Sequence, residues 1–299
     1  MEKRKYYAAA VAAFVIWGFF SIPLRALAAY SSGEILYFRI LFSLGVLLSI
    51  LPFRTGAMKS DWRTLMSLAA PERRNVILLT LAGGALLTVN WLTFIYIVNN
   101  INIRTASFSY LICPVITAVL GYMLIHENLS RVQWIAVGFC GLSCVLMGLN
   151  SRLELGFSIL TAFTYALYLI TQRKNQGFDR ITVLTIQVIF SMMILSVLYP
   201  YLVDSVPVAP EFYLIILLIS VVFTVFPLFL NLFALNHINS ATIGILMYLN
   251  PLFNFTVAFI VFDETITGLQ LTGYGIILAA LVLFNYQNFR KLQASVARA

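Results

Sequence analysis

The sequence predicts an all-α integral membrane protein of ten transmembrane helices, built as two inverted five-helix repeats. Composition is the first observation behind this. Of 299 residues, 61% are apolar and only 30 are charged, 19 Lys and Arg against 11 Asp and Glu. Soluble domains average about 45–50% apolar and about 25% charged, so a water-soluble monomer is excluded. At ~20 residues per span, that apolar content fills about nine or ten helices and leaves little chain for a soluble domain. The other two observations are the one-sided placement of Lys and Arg and a match of the chain to itself.

Taken in order, the apolar windows give spans at 6–29, 34–52, 75–98, 104–125, 132–149, 153–172, 180–201, 211–235, 241–262 and 269–288. The first follows Lys3, Arg4 and Lys5. Its Ala26-Leu27-Ala28 resembles a signal-peptide cleavage site, but the stretch from Tyr6 to Leu24 is long for a signal core and Arg25 interrupts it, so no cleavage is expected. The second and third spans are separated by a basic loop carrying Arg54, Lys59, Arg63, Arg73 and Arg74. With ten spans, 15 of the 19 basic residues fall on the side of the N-terminus and only Arg104 and Arg152 on the other. Both termini are therefore expected in the cytoplasm, with the chain in the plasma (inner) membrane. Arg25 and Arg39 lie inside the first two spans and break the pattern.

The chain also aligns with itself. An offset of 137 pairs Asn99 with Asn236, Thr105 with Thr242, Pro114 with Pro251, Glu127 with Glu264, and Gln133 with Gln270. Upstream, an offset of 148 pairs Trp17-Gly18 with Tyr165-Ala166, Arg25 with Arg173, and Phe42-Ser43 with Phe190-Ser191. The halves, 1–149 and 150–299, hold five spans each. Five is odd, so the second copy enters the membrane from the opposite side, an architecture in which secondary transporters place substrate near the midplane between repeats.

Other classes are poorly supported. The basic residues lie between apolar segments rather than along one face, so a nucleic-acid partner is not expected. Cys113, Cys140 and Cys144 lack the spacing of a disulfide framework or zinc site. His126-Glu127 has no second His four residues after the first, and neither a G-x-S-x-G motif nor a Walker A loop occurs. No enzyme, metal or cofactor is expected. The partners expected are a small-molecule substrate and the lipid bilayer, with a homodimer possible but not required. A membrane scaffold without transport activity remains the alternative, although a scaffold needs no central polar path.

Several stretches resemble a known family. Asn90-Trp91-Leu92-Thr93-Phe94-Ile95-Tyr96, then Ala106-Ser107-Phe108-Ser109-Tyr110 with Pro114, and His126-Glu127 before Gln133-Trp134, are similar to the RarD branch of the drug/metabolite transporter superfamily, built from two EamA repeats. Trp17-Gly18, Arg39 and Tyr248-Leu249-Asn250-Pro251 fit the same pattern. The resemblance implies ten helices, cytoplasmic termini, an alternating-access cavity and export of small solutes. It departs where the Gly-Glu pair common in EamA repeats reads His126-Glu127 and Asp263-Glu264.

Candidate substrate-binding residues follow from the cost of polar groups in a bilayer. Arg39, about five residues and ~7.5 Å into its span, leads. Arg25 is second. Glu34 is five residues from Arg39 and does not share its helical face. Two cavity-lining guanidiniums would favour a carboxylate or phosphate, as in an amino acid or organic acid. Gln187 is the repeat mate of Arg39. Asn90, Asn231, Asn250, Tyr110 and Tyr248 add neutral polar groups at mid-span, and Trp17 and Trp91 are candidate aromatic walls. Pro114 and Pro251, also repeat mates, are candidate hinges. All eleven acids fall in loops or near helix ends, which disfavours a midplane proton relay and leaves a facilitator, an exchanger, or coupling through terminal acids or His237.

Overall fold

A computed structural model describes residues 2–126, 128–175, 177–235 and 246–296. Thirteen α-helices are assigned among them: α1 Glu2–Gly18, α2 Ser21–Ala26, α3 Ser32–Ile50, α4 Thr55–Ser67, α5 Ala70–Tyr96, α6 Ile103–Ile125, α7 Arg131–Asn150, α8 Arg152–Lys174, α9 Arg180–Leu202, α10 Pro210–Ser220, α11 Phe226–Leu235, α12 Leu249–Ile260 and α13 Gly268–Val296. No strand occurs among the described residues. Eight helical segments are long and apolar enough to cross a membrane, and Leu249–Ile260 and Gly268–Phe284 are shorter apolar helices.

The packing obeys a two-fold relation between halves. Where α5 packs on α8, its counterpart α11 packs on α1; α6 on α8 is mirrored by α12 on α1, and α5 on α9 by α10 on α3. Three pairs, α3 with α9, α6 with α12 and α7 with α13, are each other's counterparts. Repeat-matched residues explain why the copies fold alike. Ser130 and Gln133 form a capping box at α7, with Oγ accepting from Gln133 N and Oε1 accepting from Ser130 N. Thr267 and Gln270 do the same at α13. Such reciprocal bonds satisfy backbone donors that a helix start leaves free. The mates His126 and Asp263 are the two non-glycine residues with positive φ among those described, 55° and 49°. This is the left-handed region, which glycine adopts without steric cost.

Two features depart from the sequence expectation. The first span is broken after Gly18: a Cβ there would collide with Phe253, so α1 and α12 touch backbone to side chain. Pro23 lacks the N–H that would bond to Phe19 O, and Ile22 N donates to that carbonyl instead at 3.1 Å. The loop between the second and third spans contains an amphipathic helix, α4, with Trp62 and Met66 exposed. The window at 241–262 begins in residues outside those described, so only its α12 portion is assigned.

Candidate functional site

Between the two repeats lies a cavity of about 220 Å3, and Arg39 projects into it. Arg39 stands seven residues past Ser32, the first residue of α3, about 10 Å along the axis and deeper than the sequence suggested. It is 3% exposed. Its guanidinium lies 4.8 Å from the Phe20 ring and 5.0 Å from the Trp91 ring. These are cation–π distances. Its Nε donates to Thr224 Oγ1 at 3.2 Å, while Nη1 is buried without a partner among the described residues. Glu34 is not its counter-ion, because the Glu34 carboxylate accepts from Ser31 N at 2.9 Å in the capping box that starts α3.

The Arg39 anchor depends on irregular backbone. Residues Val221–Val225 form a π-helical turn between α10 and α11. Pro227 removes the donor that an α-helix would aim at Phe223 O, and Trp17 Nε1 donates to that carbonyl at 3.0 Å. Thr224, inside the turn, back-bonds to Ile219 O at 3.0 Å while accepting from Arg39. Such π turns recur at functional sites. Pro227 falls in the span expected at 211–235, where hydropathy carries no signal for the π turn that positions Thr224.

Aromatic rings continue from this anchor. Phe223 stacks on Phe20 at 5.7 Å, Phe20 on Phe94 at 5.7 Å, and Phe94 meets Tyr110 edge-on at 5.5 Å. Tyr110 contacts Tyr165 at 5.6 Å, and Tyr165 contacts Tyr168 at 5.8 Å. All six line the cavity. Among the described residues, the cavity's charged side chains are Arg39 and Arg180, and no Asp or Glu lines it.

The other candidates separate into two groups. Trp17, Trp91, Tyr110, Gln187, Asn231 and Asn250 line the cavity. Asn90, Tyr248 and Arg25 do not. Asn90 is fully buried and clamps helices, donating to Thr161 O at 2.8 Å and accepting from the Tyr110 hydroxyl at 3.3 Å. Its part in the site is to hold Tyr110. Tyr248 packs on the apolar cluster formed by α6, α7, α8 and α13. Pro114 sits inside α6, and Pro251 is buried near the start of α12, where Asn250 N bonds to Met247 O at 3.2 Å.

Arg25 belongs to a separate ionic cluster at the end of the bundle where α6 starts. Its Nη2 donates to Glu264 Oε1 at 3.2 Å. Glu264 also accepts from Arg104 Nε at 3.1 Å and from the backbone N–H groups of Ile103 and Arg104 at 2.8 and 3.2 Å. The carboxylate thus occupies the positive N-terminus of α6 and ties the second repeat to the first. Expecting Arg25 in the cavity failed because its partner lies 239 residues away in sequence. At the opposite end, Arg54 pairs with Asp179, whose backbone N–H donates to Asp61. His237 and Glu127 lie outside the described residues.

The EamA-like transporter family matches this chain twice, over residues 4–149 and 152–286. The chain belongs to that family. Among its relatives, an uncharacterised transporter YojE of Bacillus subtilis is 26% identical over 98% of both chains. Protein RarD of Streptomyces exfoliatus is 27% identical, covering 96% of this chain and 90% of its own. A solved crystal structure at 11% identity shares the fold, with a TM-score of 0.63 over 94% of this chain and 97% of that one. This EamA-family protein is accordingly a multi-pass membrane protein of the transporter class.

Proposed function

We propose that this protein is a secondary transporter that exports small solutes, amino acids and organic acids among them, by alternating access through the cavity between its repeats. The observation that carries the reading is a buried guanidinium with an unpartnered nitrogen in a cavity between repeat-related helices. An ionisable group in a bilayer is costly, and among the described residues no carboxylate in the cavity offsets it. A bound anion would. The Arg25, Glu264 and Arg104 cluster joins the repeats at one end, which would be the closed end in an alternating-access cycle, while the cavity wall includes Arg180 and Gln172 toward the other. The repeat-mate prolines Pro114 and Pro251 are the points about which α6 and α12 would bend. The one-sided basic residues favour cytoplasmic termini in the plasma membrane, which makes the clustered end external.

Counterflow in vesicles reconstituted with the full chain and loaded with a metabolite mixture tests this reading. Solutes should exchange above protein-free vesicles, anions foremost, and Arg39→Gln should abolish that exchange. Exchange of no solute above background would favour a scaffold role. A pH gradient that drives accumulation would show proton coupling through groups other than a midplane carboxylate.

A further inference from the structure

Buried polar atoms without partners cost free energy, so a native protein that keeps several together keeps them for something that binds. Among the described residues, five side chains with such atoms line the central cavity: Arg39, Ser43, Gln172, Gln187 and Asn231. They are not chemically uniform. Arg39 Nη1 and Gln172 Nε2 can only donate. Gln187 presents both Oε1 and Nε2, and Asn231 presents Oδ1.

We infer that the cavity selects an aromatic monocarboxylate carrying a neutral hydrogen-bonding group at the end opposite the carboxylate, and discriminates against zwitterions and cations. This rests on reading the cavity as the transport site. Charge sets the first requirement. With Arg39 and Arg180 as the cationic lining groups and no Asp or Glu among the described lining residues, an anion gains a counter-ion, whereas an ammonium group meets only repulsion and neutral amides. Because Thr224 occupies Nε and the guanidinium lies over the Phe20 and Trp91 rings, the terminal nitrogens are left for a carboxylate to engage end-on.

Spacing sets the second requirement. Arg39 sits at the level of Trp91 on α5, whereas Gln187 lies against Gly83, eight residues earlier on the same helix. Eight residues are about 12 Å along the axis before either side chain reaches inward. The Arg39 and Gln187 levels are thus distinct, and the aromatic series from Phe20 to Tyr168 forms part of the same wall. A flat ring suits that wall, since aromatic pairs favour offset or edge contacts. At the far level Gln187 can both donate and accept, which matches a hydroxyl.

A para-substituted benzoate places these three groups in line and supplies the probe. Equilibrium dialysis of labelled 4-hydroxybenzoate against the full chain in lipid nanodiscs, with competitors, reads binding without any gradient. Benzoate should compete more weakly than unlabelled 4-hydroxybenzoate. The uncharged 4-hydroxybenzamide and the zwitterion tyrosine should be weaker by about tenfold or more, the loss of a charge-assisted hydrogen bond. Arg39→Gln should erase the preference for carboxylate over amide, and Gln187→Leu should bring 4-hydroxybenzoate down to the affinity of benzoate. Should Arg39→Gln fail to fold, Arg39→Lys, which keeps the charge but not the planar fork, should retain the anion preference at reduced affinity. Equal competition by tyrosine or the amide, or no binding of 4-hydroxybenzoate, overturns the proposal. The two readings fail separately: counterflow of other solutes without aromatic binding removes the selectivity claim alone, and ordered binding without counterflow removes the transport claim alone.

Discussion

Arg39 and Ser43 in the first repeat stand where Gln187 and Ser191 stand in the second, yet the two serines have different duties. In the first, Arg39 Nη1 and Ser43 Oγ have no partners among the described residues and both line the cavity. In the second, Ser191 Oγ bonds to Gly84 O at 3.1 Å and Gln187 O at 2.9 Å. The cause is what lies opposite. Arg39 on α3 is flanked by the aromatic faces of Phe20 and Trp91, whereas α9 meets Gly83 and Gly84, which let backbones approach and turn the serine into a packing bond. Of the four, Ser191 serves the frame, while Arg39, Ser43 and Gln187 keep atoms at the cavity that have no partner among the described residues.

The largest expected effect comes from spoiling the close approach. A Cβ at Gly84 would lie 2.8 Å from Gln187 O, a backbone atom that cannot swing away. Gly84→Leu should therefore lower unfolding stability in detergent by about 3 kcal/mol, the upper range for overpacking. Gly45→Leu is the control, since a Cβ there meets nothing within 4 Å. Equal melting of the two variants would mean that the glycine contact does not seat α9.

A subtler contrast separates the serines. Ser191→Ala should cost about 1 kcal/mol, the net value of one hydrogen bond, and leave the order of ligand affinities intact. Ser43→Ala breaks no internal bond, so its melting temperature should hold while affinity for an anion falls a few-fold. The reverse pattern would show that the two repeats have been assigned the wrong duties.

Much of the frame was legible in the sequence because apolar windows and basic loops are local signals. The repeat matches were legible too, although their meaning was not: Gln133 and Gln270 proved to be cap residues, and Glu264 a clamp on the start of α6. What stayed hidden depends on contacts distant in sequence. The break after Gly18 answers to Phe253, and hydropathy averaged over a span smooths over two residues. Asn90 looked like a ligand-binding amide because a polar residue in an apolar run reads alike whether it faces a cavity or Thr161. Arg39 was identifiable since it had no neighbour in sequence that could neutralise it, while Arg25 shared that signal and found Glu264.

The smallest expected effect tests the frame at another pair of mates. His126 ends α6 and Asp263 follows α12, both in the left-handed region. That conformation costs an ordinary L-residue roughly 1–2 kcal/mol, less for a short polar side chain that can bond locally, and costs glycine almost nothing. His126→Gly and Asp263→Gly should each stabilise the protein, by about 1 kcal/mol for the bulkier histidine and about half that for the aspartate. The sites lie on opposite faces of the bundle with no shared partner described, so the double variant should show the sum. Glu264, next to Asp263, anchors Arg25 and Arg104. If Asp263→Gly destabilised instead, its carboxylate would be contributing to that cluster, and the far end of the second repeat would hold a function that the His126 turn of the first does not.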